Sequence, residues 1–393
     1  MHPSIYRLRL QDILTFCVLS LLCLGVIMVH SAAMNVSGSI SWHLNNPSMR
    51  HVVFAGIALL TFFAVGFLNV NALSRATPWR SPVLWMYGVA ALACILVLVP
   101  GVGREVNGAR RWLSLGFTQV QPSELGKWAV VLFLAWWFST RPEFVRTFWG
   151  FVLTMIPVGF ICLLVVKEDF GTAALIGLCA LALCLAGRVR LWHLAVAVPP
   201  ALAGGLWFVM SEPYRWKRIT AFADPYAAPQ AEGYHMIQSL LSFATGGLSG
   251  TGLGRGVQKL GYLPEDTTDF IFAVICEEMG VFGALLVIGL YLGILFVAWQ
   301  AIRSRKDPFG QLLAFGVGSM IGLQALINIA VATVSVPPKG LSLPLISAGG
   351  SGLIITSAAL GLLYAICRHQ GSDETEIQPS TRGPIIPSLA AAE

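Results

Sequence analysis

The chain has 393 residues, of which 56% are hydrophobic and only 11% are charged, and its 25 Lys and Arg exceed its 19 Asp and Glu to give a net charge of +6. This composition excludes a soluble domain with a charged surface, and the basic residues are too dispersed between apolar runs to indicate nucleic-acid binding. It is typical of an integral membrane protein.

Ten apolar segments, each near the roughly 20 residues that span a bilayer, follow one another along the chain. In hydrocarbon every backbone N–H and C=O must be paired internally, so these segments are predicted to be helices and no strand is expected. The predicted helices cover 12–30, 51–69, 82–100, 123–139, 147–166, 170–187, 190–210, 269–301, 308–333 and 350–367. The predicted fold is therefore all-α, a polytopic bundle of about ten transmembrane helices.

The basic residues between the spans orient this bundle, because short cytoplasmic loops are enriched in Lys and Arg. One side carries Arg7, Arg9, Arg75, Arg80, Arg141, Arg146, Arg188, Arg190, Arg303, Arg305, Lys306 and Arg368. Both termini are therefore predicted to be cytoplasmic. Two loops on the other side break the pattern, one with Arg104, Arg110 and Arg111, the other with Arg215, Lys217, Arg218, Arg255 and Lys259. We expect function in these two loops.

The longest connection, residues 211–268 between the seventh and eighth helices, is predicted to be a large extracytoplasmic loop. Within it, apolar residues recur at helical spacing from Tyr234 to Ala244. They indicate either a helix lying in the membrane interface or one buried under the loop. Residues 1–368 form the predicted membrane domain, and the polar segment 369–393 is predicted to be a disordered cytoplasmic tail.

Placing an ionisable side chain inside a membrane span costs free energy, so the carboxylates and the lysine in the predicted spans indicate functional sites. Glu124 and Lys127 lie on one helix face at a spacing of three residues. They indicate a functional pair or, equally, an ion pair that neutralises itself on entering the bilayer. Glu277 and Glu278 lie inside the eighth span, and one of them is expected to face a polar cavity or a partner.

Two aspartates precede predicted helices, where capping is the ordinary role of this residue. Asp169 stands before the sixth span, and we interpret it as an N-cap. Asp269 stands where the long loop re-enters the membrane, and helix capping is again the simpler alternative. An Asp near the water interface could also act as a base or bind a divalent cation.

The glycine-rich stretch 246–256 could cradle phosphate oxygens with backbone amides, although a flexible loop is the simpler interpretation. With the arginine-bearing loops, it would suit an anionic lipid-linked substrate, because Arg matches phosphate geometry.

Several ordered motifs carry a resemblance to a known family. They are Asn107-Gly108-Ala109-Arg110-Arg111-Trp112, Gln121-Pro122-Ser123-Glu124-Leu125, Arg218-Ile219 through Asp224-Pro225, Gly233-Tyr234, Leu263-Pro264-Glu265, Thr268-Asp269-Phe270-Ile271-Phe272, Gln324, Asn328, and Lys339-Gly340 through Leu343-Pro344. Across nearly the whole membrane region the chain resembles the SEDS family of peptidoglycan polymerases. The segment 258–265, which lacks an insertion, favours the FtsW-like branch over the RodA-like branch.

The resemblance implies polymerisation of lipid II, the undecaprenyl-pyrophosphoryl disaccharide-peptide, at the outer face of the bacterial cytoplasmic (inner) membrane for cell division. The GlcNAc 4-hydroxyl would attack the MurNAc anomeric carbon with inversion, and the lipid pyrophosphate would leave. Asp269 would be the essential carboxylate, as general base or as a ligand of Mg²⁺ or Mn²⁺. The expected substrate-binding and cavity residues are Arg110, Arg111, Glu124, Lys127, Arg218 and Lys339. The expected protein partners are a class B penicillin-binding protein transpeptidase and other divisome membrane proteins, with no nucleic acid.

Two positions depart from the usual family pattern. Glu168 stands where the family usually has Pro, and Ala348 stands where it usually has Tyr. Three alternatives to the division polymerase remain: a RodA-like elongation polymerase, a non-catalytic assembly scaffold, and a lipid II flippase whose path is lined by the intramembrane Glu124, Lys127, Glu277 and Glu278.

Overall fold

The computed structural model describes residues 9–33, 47–74, 81–106, 109–114, 119–231 and 233–376. Predictions that fall on Arg7, Arg75, Arg80, the pair Asn107-Gly108 and the tail from residue 377 lie outside these ranges.

The described residues form thirteen α-helices in a largely helical chain. They are α1 (Leu10–Ala32), α2 (Pro47–Gly66), α3 (Pro82–Leu98), α4 (Pro122–Thr140), α5 (Pro142–Val145), α6 (Phe148–Val166), α7 (Phe170–Ala186), α8 (Leu191–Met210), α9 (Pro213–Ala223), α10 (Tyr234–Gly246), α11 (Ile271–Ser304), α12 (Pro308–Ala332) and α13 (Gly350–Glu376). Each of the ten predicted spans coincides with one of them, and the short or amphipathic α5, α9 and α10 are the additions.

The chain is a polytopic membrane protein. Among the described residues, seven helices are long and apolar enough to cross a bilayer, namely α1, α2, α6, α8, α11, α12 and α13. Two more of the predicted spans, α3 and α7, are apolar but shorter. The remaining one, α4, has 19 residues and carries Glu124 and Lys127 in its first two turns.

The core of the bundle surrounds α4, whose side chains are nearly all buried. It packs against α3, α7 and α12, while α13 packs along α2, and α11 contacts α1 and α12. By contrast, α8 leaves most of its surface exposed, as expected of a helix that faces lipid. The charged pair of α4 is therefore buried inside the bundle, at the first turns of this helix.

The expectation that no strand is needed is wrong in one place. Strands β1 (Gly103–Val106), β2 (Ala109–Ser114) and β3 (Gln119–Val120) form an antiparallel sheet in the order β1-β2-β3. This sheet occupies the connection between α3 and α4. An open sheet edge is excluded from hydrocarbon but not from water, so the pairing argument that predicted helices does not extend to this connection. The sheet carries Arg110 and Arg111 on β2.

The eighth predicted span is the 34-residue helix α11, which has a kink at Gly280. Gly280 has φ 64° and ψ −158°, a backbone conformation that favours glycine. A Cβ there would overlap the carbonyl of Leu248, so the glycine also admits the backbone of the long loop.

The helix predicted within the long loop is α10, and it packs on α11. Its small and polar residues Ser239 and Ser242 are buried, while Leu240 and Leu241 are exposed. The Ser239 hydroxyl donates to the carbonyl of Ala332 at 2.6 Å, which explains the inward polar side. Helix α10 is thus anchored to the bundle and presents leucines outward, and its place in the membrane interface stays a prediction. At the other end of the chain, α13 continues to Glu376, past the predicted start of the disordered tail at residue 369.

Candidate active site

Asp269 lies two residues before α11 and is partly buried. The N-cap position of α11 belongs to Phe270 and has no side-chain cap, so the capping alternative for Asp269 is wrong. The Asp269 backbone is held by Asn328 of α12, whose Nδ2 donates to the carbonyl of Asp269 at 2.9 Å and to that of Leu341 at 2.6 Å. One amide therefore joins the Asp269 segment to the loop between α12 and α13.

The loop between α12 and α13 closes directly over the Asp269 segment. The Ser347 hydroxyl donates to the carbonyl of Thr268 at 2.6 Å, and the Ala348 N–H donates to that of Thr267 at 2.8 Å. The Ala348 contact uses only the backbone, so the departure from the family's usual Tyr leaves it intact.

The surroundings of Asp269 raise the pKa of its carboxyl from 3.8 to about 7, chiefly because the group is buried. The carboxylates of Glu265 and Asp169 add to this effect, while Arg111 and Arg218 oppose it. A carboxyl that titrates near neutral pH can accept a proton and return it under ordinary conditions. Arg111 and Arg218, from the two exceptional outer loops, thus act on the same carboxyl.

The sheet that carries the arginines is fastened to the turn between α6 and α7. The backbone N–H of Arg110 donates to Glu168 Oε2 at 2.6 Å, and the Arg110 side chain reaches Glu105 at 3.4 Å. Arg110, Arg111 and Glu168 line a cavity of about 20 Å³, room for about one water molecule. The side chain of Glu168 therefore supplies a hydrogen-bond acceptor at a position where the family usually has Pro.

The N-cap prediction for Asp169 is confirmed, because its Oδ1 accepts from the Thr172 N–H at 3.0 Å. Its second oxygen, Oδ2, accepts from the Thr172 hydroxyl at 2.7 Å and from Gln121 Nε2 at 3.4 Å. Asp169 also acts electrostatically on Asp269 and Lys339, a role that its capping signature did not indicate.

Lys339 precedes Gly340, whose backbone lies beside the Asp269 carboxylate. The Lys339 Nζ lies 3.9 Å from the ring centre of Phe170. Phe170 stacks on Phe208 at 5.8 Å, and Arg215 covers the far ring at 3.9 Å. Burial and the nearby Arg218 and Arg215 lower the pKa of Lys339 to about 8, against the effect of Asp169. Two cations are thus held at fixed positions on one aromatic stack.

Glu124 and Lys127 form a buried ion pair of 2.7 Å. Lys127 Nζ also donates to Gln324 Oε1 at 2.7 Å, and Gln324 Nε2 donates to the carbonyl of Ser342 at 2.8 Å. The neutralised ion pair is therefore present, and it also connects α4 through α12 to the loop that closes over Asp269.

Glu277 and Glu278 bind the chain's own long loop, and Glu278 has there the partner that was expected for one of them. Glu277 Oε1 accepts from the Val257 N–H at 2.8 Å, and Glu278 pairs with Lys259 at 2.7 Å. The Gly254 N–H donates to Glu278 at 3.1 Å. Within the stretch 246–256 considered as a phosphate cradle or a flexible loop, the Gly254 amide thus binds a carboxylate of α11, and the Thr251 and Gly252 amides bind backbone carbonyls of α11.

Sequence reasoning missed His235, which α10 brings beside the Asp269 segment. Its ring stacks on Phe270 at 5.9 Å with an interplanar angle of 10°, and its Nδ1 is buried without a hydrogen-bond partner among the described residues. Burial and Arg218 lower the pKa of His235, against the effect of Glu265. The only signal was its place on the polar side of a predicted helix, which does not say what that side contacts.

The sequence and the fold are similar to those of known proteins. Residues 11–372 match the FtsW, RodA and SpoVE family, described as "Cell cycle protein". A protein of Coxiella burnetii named "Probable peptidoglycan glycosyltransferase FtsW" is 36% identical over 358 residues, covering 90% of this chain and 95% of the relative. A protein of Dichelobacter nodosus with the same name is 37% identical over 376 residues, covering 92% and 91%.

Two solved structures share the fold. A chain from the structure described as "Structural coordination of polymerization and crosslinking by a peptidoglycan synthase complex" has a TM-score of 0.72 at 29% identity, covering 91% of this chain and 97% of its own length. The rod shape determining protein RodA of Thermus thermophilus has a TM-score of 0.62 at 27% identity, covering 91% and 96%.

Proposed function

The chain belongs to the FtsW, RodA and SpoVE family of cell cycle proteins and is a peptidoglycan glycosyltransferase of the FtsW kind, and we propose that Asp269 is its essential carboxylate. The observation that carries this proposal is the convergence on Asp269 of Arg111 and Arg218 from two separate outer loops, with a carboxyl pKa of about 7. The substrate is lipid II, and the product is a glycan strand for cell division.

In the proposed step, Asp269 takes the proton of the GlcNAc 4-hydroxyl as that oxygen bonds to the MurNAc anomeric carbon. The bond from this carbon to the pyrophosphate oxygen breaks, with inversion, and undecaprenyl pyrophosphate leaves. Arg110, Arg111, Arg218 and Lys339 stabilise the negative charge that develops on the leaving group. Arg111, Arg218 and Lys339 already act on the electrostatics of the same pocket.

Glu124 and Lys127 support the site without contacting the reacting atoms. Their ion pair and the Gln324 bridge fix the loop between α12 and α13. Asn328 fixes the Asp269 backbone to the same loop. A rigid support of this kind keeps a base within hydrogen-bond reach of its substrate.

A divalent cation, Mg²⁺ or Mn²⁺, fits Asp269 only as an ion shared with substrate. Among the described residues, no three or more His, Cys, Asp and Glu side chains come together as a metal site. Mg²⁺ is commonly held by one or two carboxylates together with substrate phosphates. Bound in this way, it would neutralise pyrophosphate charge beside Asp269.

We infer that the site faces the outside of the bacterial cytoplasmic membrane and that both termini are cytoplasmic. Glu124 is in the first turn of α4, and Arg141 follows the last, so the candidate site and the Arg141 loop lie at opposite ends of one helix. The basic loops then face the cytoplasm, as the charge rule expects.

The partner we propose is a class B penicillin-binding protein transpeptidase, together with other divisome membrane proteins. It is supported by the similarity to a chain of a synthase complex that coordinates polymerisation and crosslinking. The flippase alternative has Glu124, Lys127, Glu277 and Glu278 line a path, and these side chains are bonded within the chain.

The test is polymerisation of lipid II by the purified full-length chain with and without its transpeptidase, with lipid II flipping in liposomes measured in parallel. We expect glycan polymer whose amount rises with the transpeptidase. Flipping without polymer under either condition would overturn the proposal in favour of transport.

A further inference from the structure

A second cavity lies at the opposite end of α4 from the candidate active site. It has a volume of about 370 Å³ and is lined by Phe133, Trp137, Arg141, Phe144, Leu153 and Pro157. At a rise of 1.5 Å per residue, Arg141 at the mouth of this cavity lies about 25 Å along α4 from Glu124. The cavity therefore belongs to neither Asp269 nor its supporting residues.

The walls of this cavity are aromatic and apolar and open towards lipid. Phe133 stacks on Trp137 at 5.8 Å, Trp137 meets Phe144 edge-on at 6.3 Å, and Tyr87 extends the wall at 5.5 Å from Phe133. Leu153 of α6 is 51% exposed, on a helix apolar enough to span the membrane. An opening at this depth admits an acyl chain from the bilayer.

The mouth of the cavity carries one cation that has no carboxylate partner. Arg141 follows the last residue of α4, is exposed, and makes no ion pair among the described residues. Its guanidinium lies 4.8 Å from the ring centre of Trp137. The neighbouring Arg146, by contrast, pairs with Glu143 at 2.9 Å. The Trp137 ring thus orients the Arg141 guanidinium, which can bind an external anion.

A second polar group points to the same ligand. Trp137 Nε1 is buried and has no hydrogen-bond partner among the described residues. A buried N–H without a partner is costly, and it is satisfied when a ligand supplies an acceptor. The ring that orients the Arg141 guanidinium therefore also offers a donor.

We propose that this cavity binds one anionic phospholipid of the cytoplasmic leaflet, with an acyl chain along the aromatic wall and its phosphate at Arg141. Trp137 Nε1 donates to a headgroup or ester oxygen. The cytoplasmic leaflet is rich in anionic lipid, and basic pockets between helices on that side suit such headgroups. The proposal rests on the orientation inferred above and does not depend on the polymerase activity.

The test is native mass spectrometry of the full-length chain titrated in detergent with dioleoylphosphatidylglycerol or dioleoylphosphatidylcholine. We expect one phosphatidylglycerol to bind more tightly than phosphatidylcholine. Arg141→Gln should weaken phosphatidylglycerol at least tenfold, whereas Arg146→Gln, which removes the same charge from the paired neighbour, should change it less than twofold. Leu153→Trp, which fills the cavity and keeps every charge, should weaken both lipids.

Two results would overturn the proposal. One is equal loss of phosphatidylglycerol in the Arg141 and Arg146 variants, which indicates general charge attraction. The other is equal affinity for the two lipids with no effect of Leu153→Trp, which indicates an unspecific lipid shell. Because the measurement uses no lipid II, neither result bears on the glycosyltransferase.

Discussion

The backbone of Gly340 lies so close to Asp269 that a Cβ on the glycine would stand 2.7 Å from the carboxylate Oδ2. The position therefore admits only glycine while the carboxyl keeps its place. We expect Gly340→Ala to displace the Asp269 side chain and to lower lipid II polymerisation at least tenfold, because misplacing a catalytic group by about an ångström is enough for such a loss.

The matched control for this prediction is Gly349→Ala in the same loop. A Cβ at Gly349 would meet nothing closer than the Ser347 carbonyl at 4.0 Å. That variant should polymerise lipid II within about twofold of the parent, because the added methyl group has room. Equal activity of the two alanine variants would contradict the close approach at Asp269.

Asp269 is also expected to limit stability at neutral and alkaline pH. Its folded pKa of about 7 lies above the ordinary 3.8, so the folded protein binds this proton more tightly than the unfolded chain. Its contribution to the free energy of unfolding is therefore greatest below pH 4 and is lost as pH rises towards 7. Asp269→Asn should raise the apparent Tm more at pH 8 than at pH 4.

Thermal unfolding in detergent at the two pH values tests this linkage. Glu212→Gln, at an exposed residue before α9 that makes no side-chain cap, is the control and should show no such pH dependence. A Tm difference for Asp269→Asn that is the same at both pH values would refute it.

The buried pair Glu124 and Lys127 should be strongly coupled. Removing one partner of a buried pair leaves an uncompensated charge, which typically costs ~3–5 kcal/mol. We expect Glu124→Gln and Lys127→Met each to destabilise the protein by about this amount and the double variant to cost less than their sum. Chemical unfolding in detergent measures the cycle.

The exposed pair Glu143 and Arg146 provides the matched control at the same spacing of three residues. Its cycle should give a coupling of only ~0.2–0.5 kcal/mol. If both cycles give the same small coupling, the buried pair does not support the loop as described.

Glu168 should act through its acceptor oxygen and not through its charge alone. Glu168→Ala removes the acceptor for the Arg110 N–H and should lower polymerisation roughly tenfold by loosening the arginine-bearing sheet. Glu168→Gln keeps an acceptor oxygen and should restore most of the rate. A glutamine variant as slow as the alanine variant would exclude this role.

The sequence allowed the ten spans and their helical nature to be predicted because long apolar runs leave the backbone no alternative in lipid. The small sheet of β1, β2 and β3 escaped because it lies outside the apolar runs. Glu277 and Glu278 were correctly marked as unusual, yet their partners could not be predicted. The amides of Gly254 and Val257 reach them because the long loop folds back against α11.

In the candidate site, too, the charged residues could be predicted from the sequence and the contacts between distant segments could not. Asp269, Arg111 and Arg218 were named from charge and from the family resemblance, and the fold brings their charges together. Gly340 and His235 could not be found in this way, because proximity between distant segments is set by packing. Helix α10 places the His235 ring against the Phe270 ring, and no local sequence pattern predicts this contact.

Polymerisation of lipid II by the Asp269→Asn variant tests the central claim most directly. The assay uses the purified full-length protein with its transpeptidase and a divalent cation, from pH 5 to pH 9. We expect the parent rate to rise with pH through about 7, where Asp269 ionises, and Asp269→Asn to lose about 10²–10⁴-fold above pH 7, with a smaller loss at lower pH, where the parent base is protonated. Asp266→Asn, three residues away, should stay within about threefold of the parent. A folded Asp269→Asn variant that makes polymer at the parent rate would contradict the assignment.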